Sequence, residues 1–201
     1  MSMRLISGIF KGFEVKAPHA GTRPTTDRAK EGIFSHLASE NMLEGVSVLD
    51  LFAGTGALGF EALSRGAHSV VLVDNAPQAY ALLSDAVRRI RKLKAWDSSR
   101  MQVDVERLSA EKFVTRLEAP AEPSDQWDLV FLDPPYAFSD EAFDQLMADL
   151  DKSGKLSRVC EIVAERSSRT AIPTPPQGWS IEQSKKYGET TIYYIVRTES
   201  L

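Results

Sequence analysis

The 201-residue chain has a single cysteine, Cys160, so an internal disulfide and any pair of cysteines for a metal are excluded. Its three histidines, His19, His36 and His68, lie far apart and lack zinc-ligand spacing, and we expect no metal. No apolar run reaches the ~18 residues that a membrane-spanning helix requires. The first residues, Met-Ser-Met-Arg-Leu-Ile-Ser-Gly, lack the apolar stretch of a secretion signal. A reducing cytoplasm is the compartment these absences predict. Positive charge is also scarce, since 24 Lys and Arg stand against 28 Asp and Glu, for a net charge of −4. No whole-molecule basic field for nucleic acid therefore exists, yet the charge is uneven. Residues 1–30 hold six basic side chains against Glu14 and Asp27, a local excess of four that leaves −8 to the remainder. Such a basic arm can touch phosphates locally.

What is present is ordinary globular composition, 43% hydrophobic and 26% charged. A chain of this length buries roughly 70% of its unfolded surface and needs no staple. Residues 3–16 read as a hairpin, with Ile9, Lys11, Phe13 and Val15 alternating about a turn at Ser7-Gly8. A loop over Pro18–Thr26 follows, and Thr26 or Asp27 can cap a helix whose apolar face is Ala29, Ile33, Phe34 and Leu37. Strands are expected at 46–51, 69–73, 101–108, 127–132 and 158–164. Between them lie helices at 58–65, from Pro77 through Leu93, at 110–117 and at 139–150. The apolar strand runs suit a sheet covered on both faces. The expected fold is a doubly wound α/β sheet, mostly parallel, with an antiparallel C-terminal edge from two β-rich runs at 179–183 and 190–196. We divide the chain into an N-terminal hairpin and basic extension, 1–24, and a main α/β domain, 25–201. Cys160 reads as a buried strand thiol.

The chemistry-bearing residues stand at the strand ends. Gly54, Gly56 and Gly59 spell GxGxxG between a strand and a helix, and Asp74 ends the next strand 20 residues beyond Gly54. Small residues let backbone N–H groups approach a ligand, and a terminal carboxylate can accept from ribose hydroxyls. These features alone fit a nicotinamide dinucleotide as well as S-adenosylmethionine. Asp50 precedes the first glycine, where its charge would repel a pyrophosphate but suit an ammonium or a sulfonium. Asp133-Pro134-Pro135-Tyr136 ends another strand. The Asp133 carboxylate and the Pro134 carbonyl can each accept one N–H of a planar exocyclic amine, and Tyr136 offers its aromatic face to a base. Neither proline donates a competing N–H.

These motifs resemble those of the class I S-adenosylmethionine-dependent methyltransferases. More closely, the chain resembles the RsmD family, bacterial guanine-N2 methyltransferases of small-subunit ribosomal RNA. The likeness spans almost the whole chain, through Arg4-Leu-Ile-Ser-Gly with Lys11-Gly12, the segment from Thr22 to Phe34, the loop from Asp50 to Gly66, Phe131 to Tyr136, and Lys186 to Thr190. It implies that Asp50, Phe52, Ala53, Gly54, Thr55 and Gly56 line the methionine part of the cofactor. By the same likeness Asp74 and Asn75 hold the ribose, Ser109 and Ala110 lie at the adenine, and Arg23 and Thr25 border the pocket. Asp133 to Tyr136 would hold the target amine. Arg4, Lys11, Lys16 and Arg23 would contact RNA, within an assembled or partly assembled small subunit. Ser109 stands where many relatives carry an acidic residue, which would leave its adenine contact uncharged; the alternative alignment uses Asp104, inside the expected third strand. Two other readings remain: a DNA amine methyltransferase, which uses the same DPPY geometry, and a nicotinamide-dependent dehydrogenase, which gives DPPY no role. A basic run from Arg88 to Lys94 reads as a solvated helical face.

Overall fold

The computed structural model describes residues 2–16 and 27–198. Its centre is a seven-stranded sheet built from β3 (Ser47–Leu51), β4 (Ser69–Val73), β5 (Gln102–Glu106), β6 (Trp127–Leu132), β7 (Leu156–Ser167), β8 (Trp179–Tyr187) and β9 (Thr190–Arg197). The order across the sheet is β5-β4-β3-β6-β7-β9-β8. The first five pair in parallel; β9 runs antiparallel between β7 and β8. The antiparallel edge is therefore as expected, but the last strand lies inside it. A short antiparallel pair, β1 (Ser2–Arg4) and β2 (Glu14–Lys16), forms a separate small sheet.

Alternation along the strands divides the core into two layers. Val48, Val70, Leu129, Phe131 and Val163 face α1 (Asp27–Ser39), α2 (Ala57–Ser64) and α3 (Pro77–Ile90). Leu49, Leu51, Val130, Leu132 and Ala164 face α4 (Ala110–Thr115) and α5 (Asp140–Lys152). Ala29, Ile33, Phe34 and Leu37 are all buried, as the helical spacing predicts. Helix α3 stops at Ile90, short of Leu93, which is left exposed. Its basic run is partly committed: Arg88 and Arg89 bind Asp85, and Arg91 donates to the Val103 carbonyl. Cys160 is buried in β7, and burial pushes its thiol up.

The expected strand over Ile9–Phe13 is instead a turn, and Ser7-Gly8 is not its tip. The cause is a docking contact. The backbone N–H groups of Ile6 and Ser7 donate to the buried Glu61 carboxylate of α2, at 2.7 and 3.0 Å. Phe10 N–H donates to Ser64 Oγ, and Ile9 N–H to the Ser64 carbonyl. Leu5, Phe10 and Val15 then join the core of the α1–α3 layer, while Ile9 points outward. Arg89 clamps the far side, donating to the Glu14 carbonyl and stacking on Phe13.

Candidate functional site

Every parallel strand of the sheet ends on one edge, and there the turns open a cavity of about 730 Å³. Asp50, Phe52, Ala53, Gly54, Thr55, Asp74, Asn75, Ser109, Ala110 and Asp133 to Tyr136 all line it. Three strand ends thus converge, as the sequence predicts for a switch-point crevice between β4, β3 and β6. Gly56 does not line the cavity. It adopts φ 76° at the start of α2, where a side chain would meet the rings and methyls of Phe60 and Leu83. Its part is to shape the turn. Gly59 lets α2 sit close on the sheet, since a Cβ there would stand 2.4 Å from Leu72. Arg23 and Thr25 lie outside the described residues.

Two carboxylates organise the glycine turn. Asp74 accepts from Gly54 N–H through Oδ2 and from Ala76 N–H through Oδ1, both at 2.8 Å. Its orientation is fixed before any ligand arrives. Asp50 is 2% exposed and accepts from Gly59 N–H at 3.0 Å. Burial pushes its carboxyl up to about 7; the Gly59 N–H opposes the rise, and the Asp74 charge adds to it. Between them Phe52 holds φ 71°, an unusual conformation for a residue with a Cβ. Its ring meets Phe138 edge-on at 5.1 Å, so an apolar bridge joins the glycine turn to the segment after DPPY.

The DPPY turn is graded in exposure. Asp133 is half-buried, Pro134 is buried, and Tyr136 is 63% exposed at the mouth. Phe138 N–H closes the turn on the Pro135 carbonyl at 2.8 Å. Ser109 caps α4 by accepting from Lys112 N–H, which directs its hydroxyl to the helix as well as the cavity.

Sequence reasoning misses the wall opposite the glycine turn. Glu165, Arg166, Ser167, Thr170 and Thr190 line the cavity from β7, the loop after it and β9. The strand expected from the sequence ends at Ala164, before these polar residues. Arg166 is buried; it binds Asp140 at 2.5 Å, donates to the Phe138 carbonyl and lies over Phe143. That guanidinium hydrogen bond is the main reason the Asp140 carboxyl is held below its ordinary range. Arg166 therefore ties the segment after DPPY to β7. The Arg-Ser pair following an apolar run is the available signal, but its partner Asp140 lies 26 residues away.

The family model described as conserved hypothetical protein 95 matches residues 3–196. The chain belongs to that family. It is the RsmD family of the sequence resemblance. The chain is 31% identical over 199 residues to ribosomal RNA small subunit methyltransferase D of Escherichia coli, covering 98% of this chain and 91% of that one. It is 30% identical over 190 residues to the Haemophilus influenzae protein of the same name, covering 92% and 89%. A solved Escherichia coli structure, provisionally described as the methyltransferase yhhF, superposes with a TM-score of 0.82 at 26% identity, over 98% of each chain. The doubly wound sheet is thus a methyltransferase fold, and this chain adds a small N-terminal antiparallel pair to it. Among the described residues no helix is long and apolar enough to cross a membrane.

Proposed function

We propose that this RsmD-family methyltransferase transfers a methyl group from S-adenosylmethionine to the exocyclic N2 of a guanine in small-subunit ribosomal RNA. The observation that carries the reading is that one cavity runs unbroken from the glycine turn and Asp74 to the DPPY mouth. The relatives named for ribosomal RNA methylation match over 92–98% of the chain, and the family model reaches from residue 3, through the hairpin, to residue 196. We take the substrate to be an assembled or partly assembled subunit in the cytoplasm.

The residues present fit the cofactor. Asp50 is a buried carboxyl at the cavity floor whose ionisation a cationic ligand would favour. Asp50, Phe52, Ala53, Gly54 and Thr55 would hold the methionine end, with Gly56 shaping their turn. Asp74 and Asn75 would hold the ribose, while Ser109 and Ala110 would meet the adenine. By resemblance alone, Arg23 and Thr25 would belong to the cofactor site. When bound, S-adenosylmethionine supplies an electrophilic methyl on a sulfonium.

The protein's task is to make a poor nucleophile point the right way. A guanine N2 lone pair is delocalised into the ring. Asp133 accepts one N–H and the Pro134 carbonyl the other, which returns density to nitrogen and fixes its direction. The rigid prolines hold both acceptors in place before the base arrives. Tyr136 stacks on the base at the mouth. Much of the acceleration is positioning. A base in a helix must first be turned out, at a cost of a few kcal/mol. Arg4, Lys11 and Lys16, all exposed on the hairpin, would steady the RNA through phosphates, and by resemblance Arg23 would contact RNA as well. Residues 1–24 are then the RNA-facing extension of the catalytic domain 25–201.

The test is transfer of labelled methyl from S-adenosylmethionine to undermethylated small subunits, bare ribosomal RNA, duplex DNA and a protein extract in parallel. Label recovered as N2-methylguanine in small-subunit RNA is the expected result. Label on DNA would replace it with the DNA amine methyltransferase reading. Absence of S-adenosylmethionine binding, together with nicotinamide binding, would restore the dehydrogenase.

A further inference from the structure

We infer that Glu165 is the residue that selects guanine, by accepting the N1–H of the same base whose N2 amine is held at DPPY. The inference rests on the guanine reading above and concerns the wall that no motif marks. In the parallel β6–β7 ladder Phe131 pairs with Val163 and Leu132 with Ala164. The residues one step further are Asp133 and Glu165. They leave the ladder side by side, directly after a last pair set one strand apart, about 4.8 Å. Alternation gives them the same face, because Phe131 and Val163, two residues earlier, both belong to the α1–α3 layer. Both line the one cavity, and Glu165 is half-buried in its wall. Across the next ladder Ser167 faces Thr190, so two hydroxyls line the cavity just beyond Glu165.

Guanine presents a matching row: the N2 amine, then N1–H, then the O6 acceptor. With the amine at Asp133 and Pro134, the neighbouring donor meets the neighbouring carboxylate. The hydroxyls of Ser167 and Thr190 can donate to O6. Adenine offers an acceptor at N1 and no amine at C2, so the same wall repels it. A site built to hydrogen-bond a donor rejects the analogue that lacks it far more strongly than an apolar pocket rejects a missing methylene. A carboxylate is a strong choice, because its bond to N1–H is charge-assisted.

The experiment compares guanine with 2-aminopurine at the mapped acceptor position of ligated ribosomal RNA. The analogue keeps the exocyclic 2-amine but carries an acceptor at N1 and lacks O6. Single-turnover methylation is measured for the wild type and for Glu165→Gln, with S-adenosylmethionine affinity and circular dichroism as folding controls. The wild type should prefer guanine by at least about 10- to 150-fold: the charge-assisted bond to N1–H contributes a preference of that size, and the lost O6 contacts add to the total. Glu165→Gln should lose most of that preference while binding S-adenosylmethionine as before, since an amide can turn its N–H toward an N1 acceptor. Equal rates on both bases in the wild type would overturn the assignment. So would a variant that retains the full preference. Should the wild type methylate no guanine N2 at all, the proposed function fails and this inference with it. Label on guanine with an unchanged ratio fails the inference alone. Should Glu165→Gln be too unstable to assay, Glu165→Ala decides by the same ratio: a preference as large as the wild type's overturns the assignment.

Discussion

Asp133 and Asp50 are both carboxylates at strand ends, yet their surroundings give them opposite work. Asp133 stands half-exposed where a base can reach it. Asp133→Ala should slow methyl transfer about 10- to 150-fold, as expected for one hydrogen bond to a charged acceptor. Cofactor affinity, read by calorimetry, should stay near the wild-type value. Asp50 is sealed beneath the glycine turn, with its carboxyl raised to about 7. S-adenosylmethionine, with its ammonium and sulfonium, should bind progressively more weakly as pH falls below 7, by up to ~10-fold per unit until the bound-state value is passed. Adenosine, which lacks both cations, should show no such trend; an identical pH profile for the two ligands would remove Asp50 from cation binding. The same shift bears on stability. A folded-state value above the unfolded one near 3.8 gives stability that is complete below about pH 4 and lost as pH rises through 7. Asp50→Asn should therefore stabilise the ligand-free protein at pH 8, by an order of ~1–4 kcal/mol, and much less at pH 4 in urea titrations. Both aspartates are legible in the sequence, Asp133 because it ends an apolar run and Asp50 because it interrupts one just before the glycine turn. Glu165 and Arg166 are not. Their significance comes from strands paired across the sheet, and ladder register is not written in any one segment.

At the scale of elements, the N-terminal hairpin is held by side chains more than by its own ladder. β1 and β2 are three residues each. The turn between them hangs on Glu61, whose carboxylate also accepts from Arg65 Nε at 2.8 Å. Glu61→Ala would leave the N–H groups of Ile6 and Ser7 without an acceptor, at about 1–3 kcal/mol each. We expect a loss of about 2–4 kcal/mol in denaturant titrations, with faster amide exchange at Ile6 and Ser7. Unchanged exchange at both would mean that Leu5, Phe10 and Val15 alone hold the hairpin. Alternation at Ile9–Val15, a local signal, marks a hairpin in this region but puts strand where residues 9–12 turn. What bends it lies more than 50 residues away in α2, so the turn is out of reach of that signal. The parallel strands are easier, since burial on both faces writes itself as continuous apolar runs such as Ser69–Val73.

For the molecule as a whole, the charge map sets how it meets RNA. An acidic body repels a polyanion at long range, and the exposed basic residues of the hairpin must overcome that locally. Replacing Arg4, Lys11 and Lys16 by Gln should weaken RNA binding. It should reduce the slope of log affinity against log salt by ~0.7 for each phosphate that is no longer neutralised. Cofactor binding and thermal midpoint should hold, because none of the three is buried. A parallel fall in cofactor affinity would point to a structural role instead. Deleting the hairpin is the poorer experiment, because Leu5, Phe10 and Val15 are core residues.

The sheet order has one more consequence, for the birth of the protein. β9 is the last strand of the described chain to be synthesised, yet it sits between β7 and β8. Until residues 190–197 leave the ribosome, the edge of β7 that β9 covers, Glu161–Ser167, stands naked and β8 has no partner in the sheet. Such an edge invites pairing with other chains. A nascent chain stalled before Thr190 should therefore be a substrate for chaperones rather than a smaller enzyme.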